Sequence, residues 1–168
     1  MIMAKLLMNW QIGRFVQAQE AADTVPFDIR RLLEQQGIHT SRPTFTLEKI
    51  AGLIAAGADR ISVISRVDHP LTTPLPEIED RMASLCGSPI PVSRPNLILL
   101  ADSTEVASMV KEPTCWTAVT LRIGFLDGQV DKLVQFLSVF DIVIEDDRGM
   151  DLPMRIIEEI VATKKIHR

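Results

Sequence analysis

The chain has 168 residues, 46% of them hydrophobic and 24% charged, with a formal net charge of −4. A chain of that size buries roughly 70% of its unfolded surface as one domain, and its residue balance excludes general disorder. Its acidity excludes a typical nucleic-acid binder, because the one basic cluster, "KKIHR" at 164–168, sits at a chain end where it complements a helix C-terminus.

No stretch approaches the ~20 apolar residues of a membrane span. The start, "MIMAKLLMNWQIGRF", has neither the apolar run nor the cleavage site of a signal peptide. The two cysteines, Cys86 and Cys115, show no zinc spacing and no CxxC. A cytoplasmic protein with two free thiols is expected, with no membrane and no nucleic acid among its partners.

Residues 1–45 read as an N-terminal helical segment ahead of an α/β domain at 46–168. "FVQAQEAAD" (15–23) is rich in helix formers. "TVPFDIRRLLEQQG" (24–37) predicts a helix with Thr24 as cap, Pro26 in the first turn and Gly37 as stop. "HTSRP" (39–43) reads as a turn, since Pro43 pushes Arg42 out of helical geometry. "TLEKIAGLIAAGAD" (46–59) carries Leu47, Ile50 and Ile54 on one helical face and ends at Gly57. The β-branched "RISVIS" (60–65) follows as a strand.

A proline-punctuated loop at 66–76 leads to a predicted helix at 77–86 and an edge strand at 89–92. "NLILLA" (96–101) is apolar at every position but the first, which marks a central strand covered on both faces. The helix predicted at 102–112 takes Asp102 or Ser103 as its cap. "CWTAVTLRIG" (115–124) alternates, with Thr120 and Arg122 on one side, and predicts a strand with one wet face. The helix predicted at 127–140 has a broad apolar stripe from Val130 to Phe140. "DIVIE" (141–145) reads as a second central strand, and "DLPMRIIEEIVATKK" (151–165) as the closing helix.

Strands and helices alternate from residue 60 onward. The expected fold is α/β, with helices covering a largely parallel or mixed sheet. An open doubly wound sheet is favoured by the element at 96–112; a ferredoxin-like double βαβ unit is the alternative.

In open parallel sheets ligands bind beyond the C-terminal ends of strands. That rule selects Asp68 and His69, Asp102 and Ser103, and Asp146 and Asp147 as candidate ligand-binding residues. Hard oxygen ligands of this kind suit Mg²⁺ or Mn²⁺, and His69 adds a ligand or proton carrier. The chemistry implied is a metal-dependent phosphoester hydrolase.

Each of these residues also has a structural explanation. Asp102 caps a helix, Asp68 makes a turn, and "EDDRGMD" (145–151) is the wet end of a strand, a turn, and Asp151 as a cap. There is no GxGxxG, Walker loop or GxSxG. The sequence alone therefore favours a non-catalytic binding or regulatory module, acting through a small effector or a protein partner. A homo-oligomer is expected, most simply a dimer, because the N-terminal helices show few internal core partners.

The charge balance yields one test. Duplex DNA at physiological salt should not be bound, because phosphate neutralisation supplies most of such affinity. A gel shift at micromolar protein or below would contradict this.

Overall fold

A computed structural model describes residues 17, 19–66, 94–109, 118–146 and 150–166. The helix and edge strand expected at 77–86 and 89–92 lie outside the described residues.

The described elements run α1 (Phe27–Leu33), β1 (Ile38–Thr40), α2 (Pro43–Ala56), β2 (Ile61–Arg66), β3 (Asn96–Ala101), α3 (Thr104–Met109), β4 (Thr120–Phe125), α4 (Leu133–Leu137), β5 (Ile142–Ile144) and α5 (Asp151–Ile166). They form one five-stranded sheet in the order β1-β5-β4-β3-β2. The pairs β2–β3, β3–β4 and β4–β5 are parallel, and β1 joins β5 antiparallel. The open, largely parallel sheet is the observed arrangement, and the double βαβ alternative is not.

Alternation along the strands sorts the core into two layers. Val63, Ile98, Leu100, Leu121, Ile123, Ile142 and Ile144 pack with Ile29 of α1, Ile50 and Leu53 of α2, and Ile156, Ile157 and Ile160 of α5. Leu97, Leu99, Ala101 and Val143 face the other way, onto Ala107 of α3 and onto Phe136 and Phe140. Consecutive parallel strands that step in one direction, joined by right-handed crossovers, place α3 and α4 on the same face.

Several expectations need correction. The stretch 38–40 is a strand, not a turn. Gly37, at φ +87°, turns the chain sharply enough for Ile38 to pair with Ile144. Helix α2 starts at Pro43, which occupies the first turn where a missing N–H costs nothing. Strand β4 is drier than its alternation implies: it lies between β3 and β5, Thr120 is buried with only 7% exposed, and Arg122 alone is partly exposed within it. The stripe at 127–140 is also less buried than its pattern suggests. A single 3₁₀ turn precedes α4, and Val134 is 81% exposed.

The N-terminal segment does find core partners. Ala22, Val25 and Ile29 are buried, so the inference of an assembly from unpartnered helices does not hold for these residues. Thr24 is not the cap of α1; its hydroxyl donates back to the Ala21 carbonyl at 2.6 Å and closes the preceding turn. Asp28 of α1 is held by Arg155 of α5, whose guanidinium also reaches Glu159 at 2.9 Å. The hydrogen bond from Arg155 keeps the Asp28 carboxyl below the usual carboxylate range. That contribution is present above the ordinary Asp pKa and is lost as pH falls through the lowered one.

The N-terminal ends of the strands are tied by polar side chains. Asn96 donates to the Arg60 carbonyl at 3.0 Å and accepts from the Val119 N–H at 2.8 Å. Asp141 accepts from the Arg122 N–H and from Lys49, each at 2.8 Å. Asn96 and Asp141 are thereby spent on structure.

Gly124 of β4 marks the tightest approach in the second layer. A Cβ there would lie 2.5 Å from the Phe140 ring. Gly124→Ala should therefore destabilise by about 1–3 kcal/mol through overpacking. An unchanged midpoint in urea unfolding would contradict that close contact.

Candidate functional site

The parallel arrangement brings the C-terminal ends of β2, β3, β4 and β5 to one edge of the sheet. Asp102 and Ser103 follow β3, Asp127 follows β4, and Glu145 and Asp146 follow β5. Asp102 is half-buried, whereas Asp127 and Asp146 are exposed. Strand β4 separates β3 from β5, so the backbones carrying Asp102 and Asp146 stand two strand spacings apart, roughly 10 Å.

Of the residues singled out from the sequence, Asp102, Ser103 and Asp146 are thus on one edge. Asp68, His69 and Asp147 lie outside the described residues. Among the described residues no three His, Cys, Asp or Glu side chains come together as a metal cage. The strand spacing explains this, since two oxygens on one Mg²⁺ must each lie within about 2.1 Å of it. The described carboxylates alone do not make a magnesium site.

Ser103 has a structural task. Its Oγ accepts from the backbone N–H of Glu105 at 3.2 Å and of Val106 at 3.4 Å, capping α3. Asp151 sits inside the first turn of α5 rather than ahead of it, where its charge meets the positive end of the helix. After β4, Asp127 and Gly128 both take positive φ and turn the chain toward α4.

Two residues at this edge escaped the sequence reading as a pair. His39 Nε2 lies 2.7 Å from Glu145 Oε1, 106 positions away in the chain. Both side chains are about one-third exposed, at 34% and 33%. Strand pairing fixes them: His39 is opposite Val143, and the Glu145 N–H donates to the Gly37 carbonyl at 2.9 Å. The signal that could have found them is the β-branched pair Ile38 and Thr40 flanking His39, directly after a glycine.

Concave surface exists elsewhere. A cleft of about 660 Å³ lies between α2 and the N-terminal end of β4, lined by Phe45, Lys49, Gly52 and Val119 among others. A shallower one of about 440 Å³ runs between α1 and α5, from Arg31 and Gln35 to Asp151.

Comparison with known proteins bears on the choice of chemistry. The family model of pyrimidine 5'-nucleotidases (UMPH-1) matches residues 88–161, less than half of the chain. Among curated proteins nothing matches. The fold is similar to the crystal structure of cytosolic 5'-nucleotidase IIIB bound to cytidine, with a TM-score of 0.64 and 11% identity. That likeness covers 84% of this chain and 99% of the other. These findings overturn the expectation of a non-catalytic binding module. They point to a phosphoester hydrolase, the reading the sequence placed second.

The described geometry makes one prediction about Ser103. Ser103→Ala should cost about 1 kcal/mol of stability by removing the α3 cap. A loss of phosphatase activity with unchanged stability would instead put the hydroxyl in the chemistry.

Proposed function

We propose that this chain is a phosphoester hydrolase acting on nucleoside 5'-monophosphates, pyrimidine nucleotides foremost, at the C-terminal ends of β3, β4 and β5. The observation that carries the reading is where the nucleotidase family match falls. Residues 88–161 take in β3, β4, β5 and most of α5, and with them Asp102, Glu145 and Asp146. The likeness of fold to a nucleotidase solved with cytidine supports the same choice.

The reaction needs a water to attack phosphorus and an ester oxygen to leave. Asp102 and Asp146 supply carboxylates suited to take the proton from that water. The roughly 10 Å between the backbones that carry them leaves room for a phosphoryl group between the strand ends. At the opposite edge, among the described residues, Asn96 and Asp141 are engaged by backbone and Lys49 partners. The cytoplasm is the compartment proposed. The similar solved enzyme is named as cytosolic, and among the described residues no helix is long and apolar enough to cross a membrane.

Release of inorganic phosphate from cytidine 5'-monophosphate, with Mg²⁺ or Mn²⁺ in the buffer, tests this directly. The parent chain should turn over, and Asp146→Asn should lower kcat by roughly a hundredfold without loss of the folded state. No release from any nucleoside 5'-monophosphate would refute the reading. So would full activity in both Asp102→Asn and Asp146→Asn.

A further inference from the structure

We propose that Arg66 is the residue that grips the phosphate of the bound nucleotide, a binding cation at the outer end of the row of acids. The proposal rests on the hydrolase reading above for the class of ligand alone, and it adds a residue from outside the family-matched stretch.

The backbone decides where Arg66 stands. The sequence pattern ends this strand at residue 65 and starts a loop at 66, but β2 runs on through Arg66. Residues Ile61 to Ser65, which lead up to it, are all buried and hold the strand in place. The parallel register sets Arg66 opposite Ala101, the last residue of β3. Asp102 comes next in the chain, so the arginine and this carboxylate stand on adjacent strands at the same level of the sheet. Neighbouring strands lie about 4.8 Å apart. An extended arginine side chain is longer than that spacing. A phosphoryl group beside Asp102 is therefore within reach of a guanidinium carried at position 66.

Charge supplies the reason for such a residue. A phosphate monoester carries close to two negative charges at neutral pH. Among the described residues, the strand ends and the turns that follow them carry the acids Asp102, Asp127, Asp131, Glu145 and Asp146. Against these stand two permanent cations, Arg66 and Lys132. A dianion entering this row of carboxylates needs a compensating charge. Lys132 lies in the exposed 3₁₀ turn that precedes α4, five residues beyond Asp127. Arg66 is fixed in the ladder itself, one strand from Asp102. Its side-chain chemistry also suits the task. A guanidinium stays charged at every working pH and meets two phosphate oxygens at once with its planar fork of donors.

The experiment measures binding apart from turnover. The full chain is titrated calorimetrically, with Mg²⁺ present, against cytidine and against the non-hydrolysable phosphonate analogue of cytidine 5'-monophosphate. The parent chain should bind the phosphonate more tightly than the nucleoside. Arg66→Gln should weaken the phosphonate at least about tenfold, as charge-assisted hydrogen bonds are lost, and leave cytidine within about twofold. Arg66→Lys, which keeps the charge without the fork, should show an intermediate loss on the phosphonate alone. It carries the test if Arg66→Gln proves unfolded by its melting curve. Lys132→Gln should change the phosphonate by less than about twofold, as expected of a screened surface charge. Undiminished phosphonate affinity in Arg66→Gln, or equal losses of phosphonate and nucleoside, would overturn the role of Arg66. So would a parent chain that does not prefer the phosphonate. Phosphonate binding that depends on Arg66, in a chain that releases no phosphate from cytidine 5'-monophosphate, would overturn the hydrolase reading and leave this role intact.

Discussion

The burial of β3 on both faces is the constraint from which the remaining architecture follows. All six of its residues are buried, with Ile98 and Leu100 in one layer and Leu97, Leu99 and Ala101 in the other. A strand that is apolar on both faces must be covered on both, and chain crossovers through helices are the economical way to do so. Crossovers of that kind enforce parallel neighbours. Parallel neighbours in turn align every strand end, so the acids after β3, β4 and β5 reach a common edge without any local signal directing them there.

The two edges of this sheet carry polar residues to different ends. At the N-terminal edge, Asn96 and Asp141 satisfy buried backbone groups and one lysine. An unsatisfied buried donor costs about 1–3 kcal/mol, so these side chains are committed to stability. At the C-terminal edge, Asp146 is exposed and Glu145 meets an imidazole. A phosphoester hydrolase needs groups that remain accessible to water and substrate, and this second edge presents the partly exposed Asp102 and Glu145 and the exposed Asp127 and Asp146.

Much of the fold was legible because its signals are local. The glycine stops, the β-branched run at 60–65 and the doubly apolar run at 96–101 each report on their own segment. The errors arose where tertiary context overruled local pattern. Thr120 and Arg122 give β4 an alternating, half-wet appearance, yet sheet position buries Thr120 and leaves Arg122 only partly exposed. Val130 and Val134 complete an apolar stripe that the short helix does not bury. Asp102 and Asp146 could be located from the rule for strand ends. The pairing of His39 with Glu145 could not, since the two are 106 residues apart, although the β-branched neighbours of His39 mark its three-residue strand.

The central claim is that phosphoester chemistry occurs at the ends of β3, β4 and β5. Crystals grown with a non-hydrolysable phosphonate analogue of a pyrimidine nucleotide test it most directly. Density for the phosphonate between the ends of β3 and β5, beside Asp102 and Asp146, is the predicted result. A phosphonate seated instead in the cleft beside Phe45 and Lys49, or between α1 and α5, would contradict it.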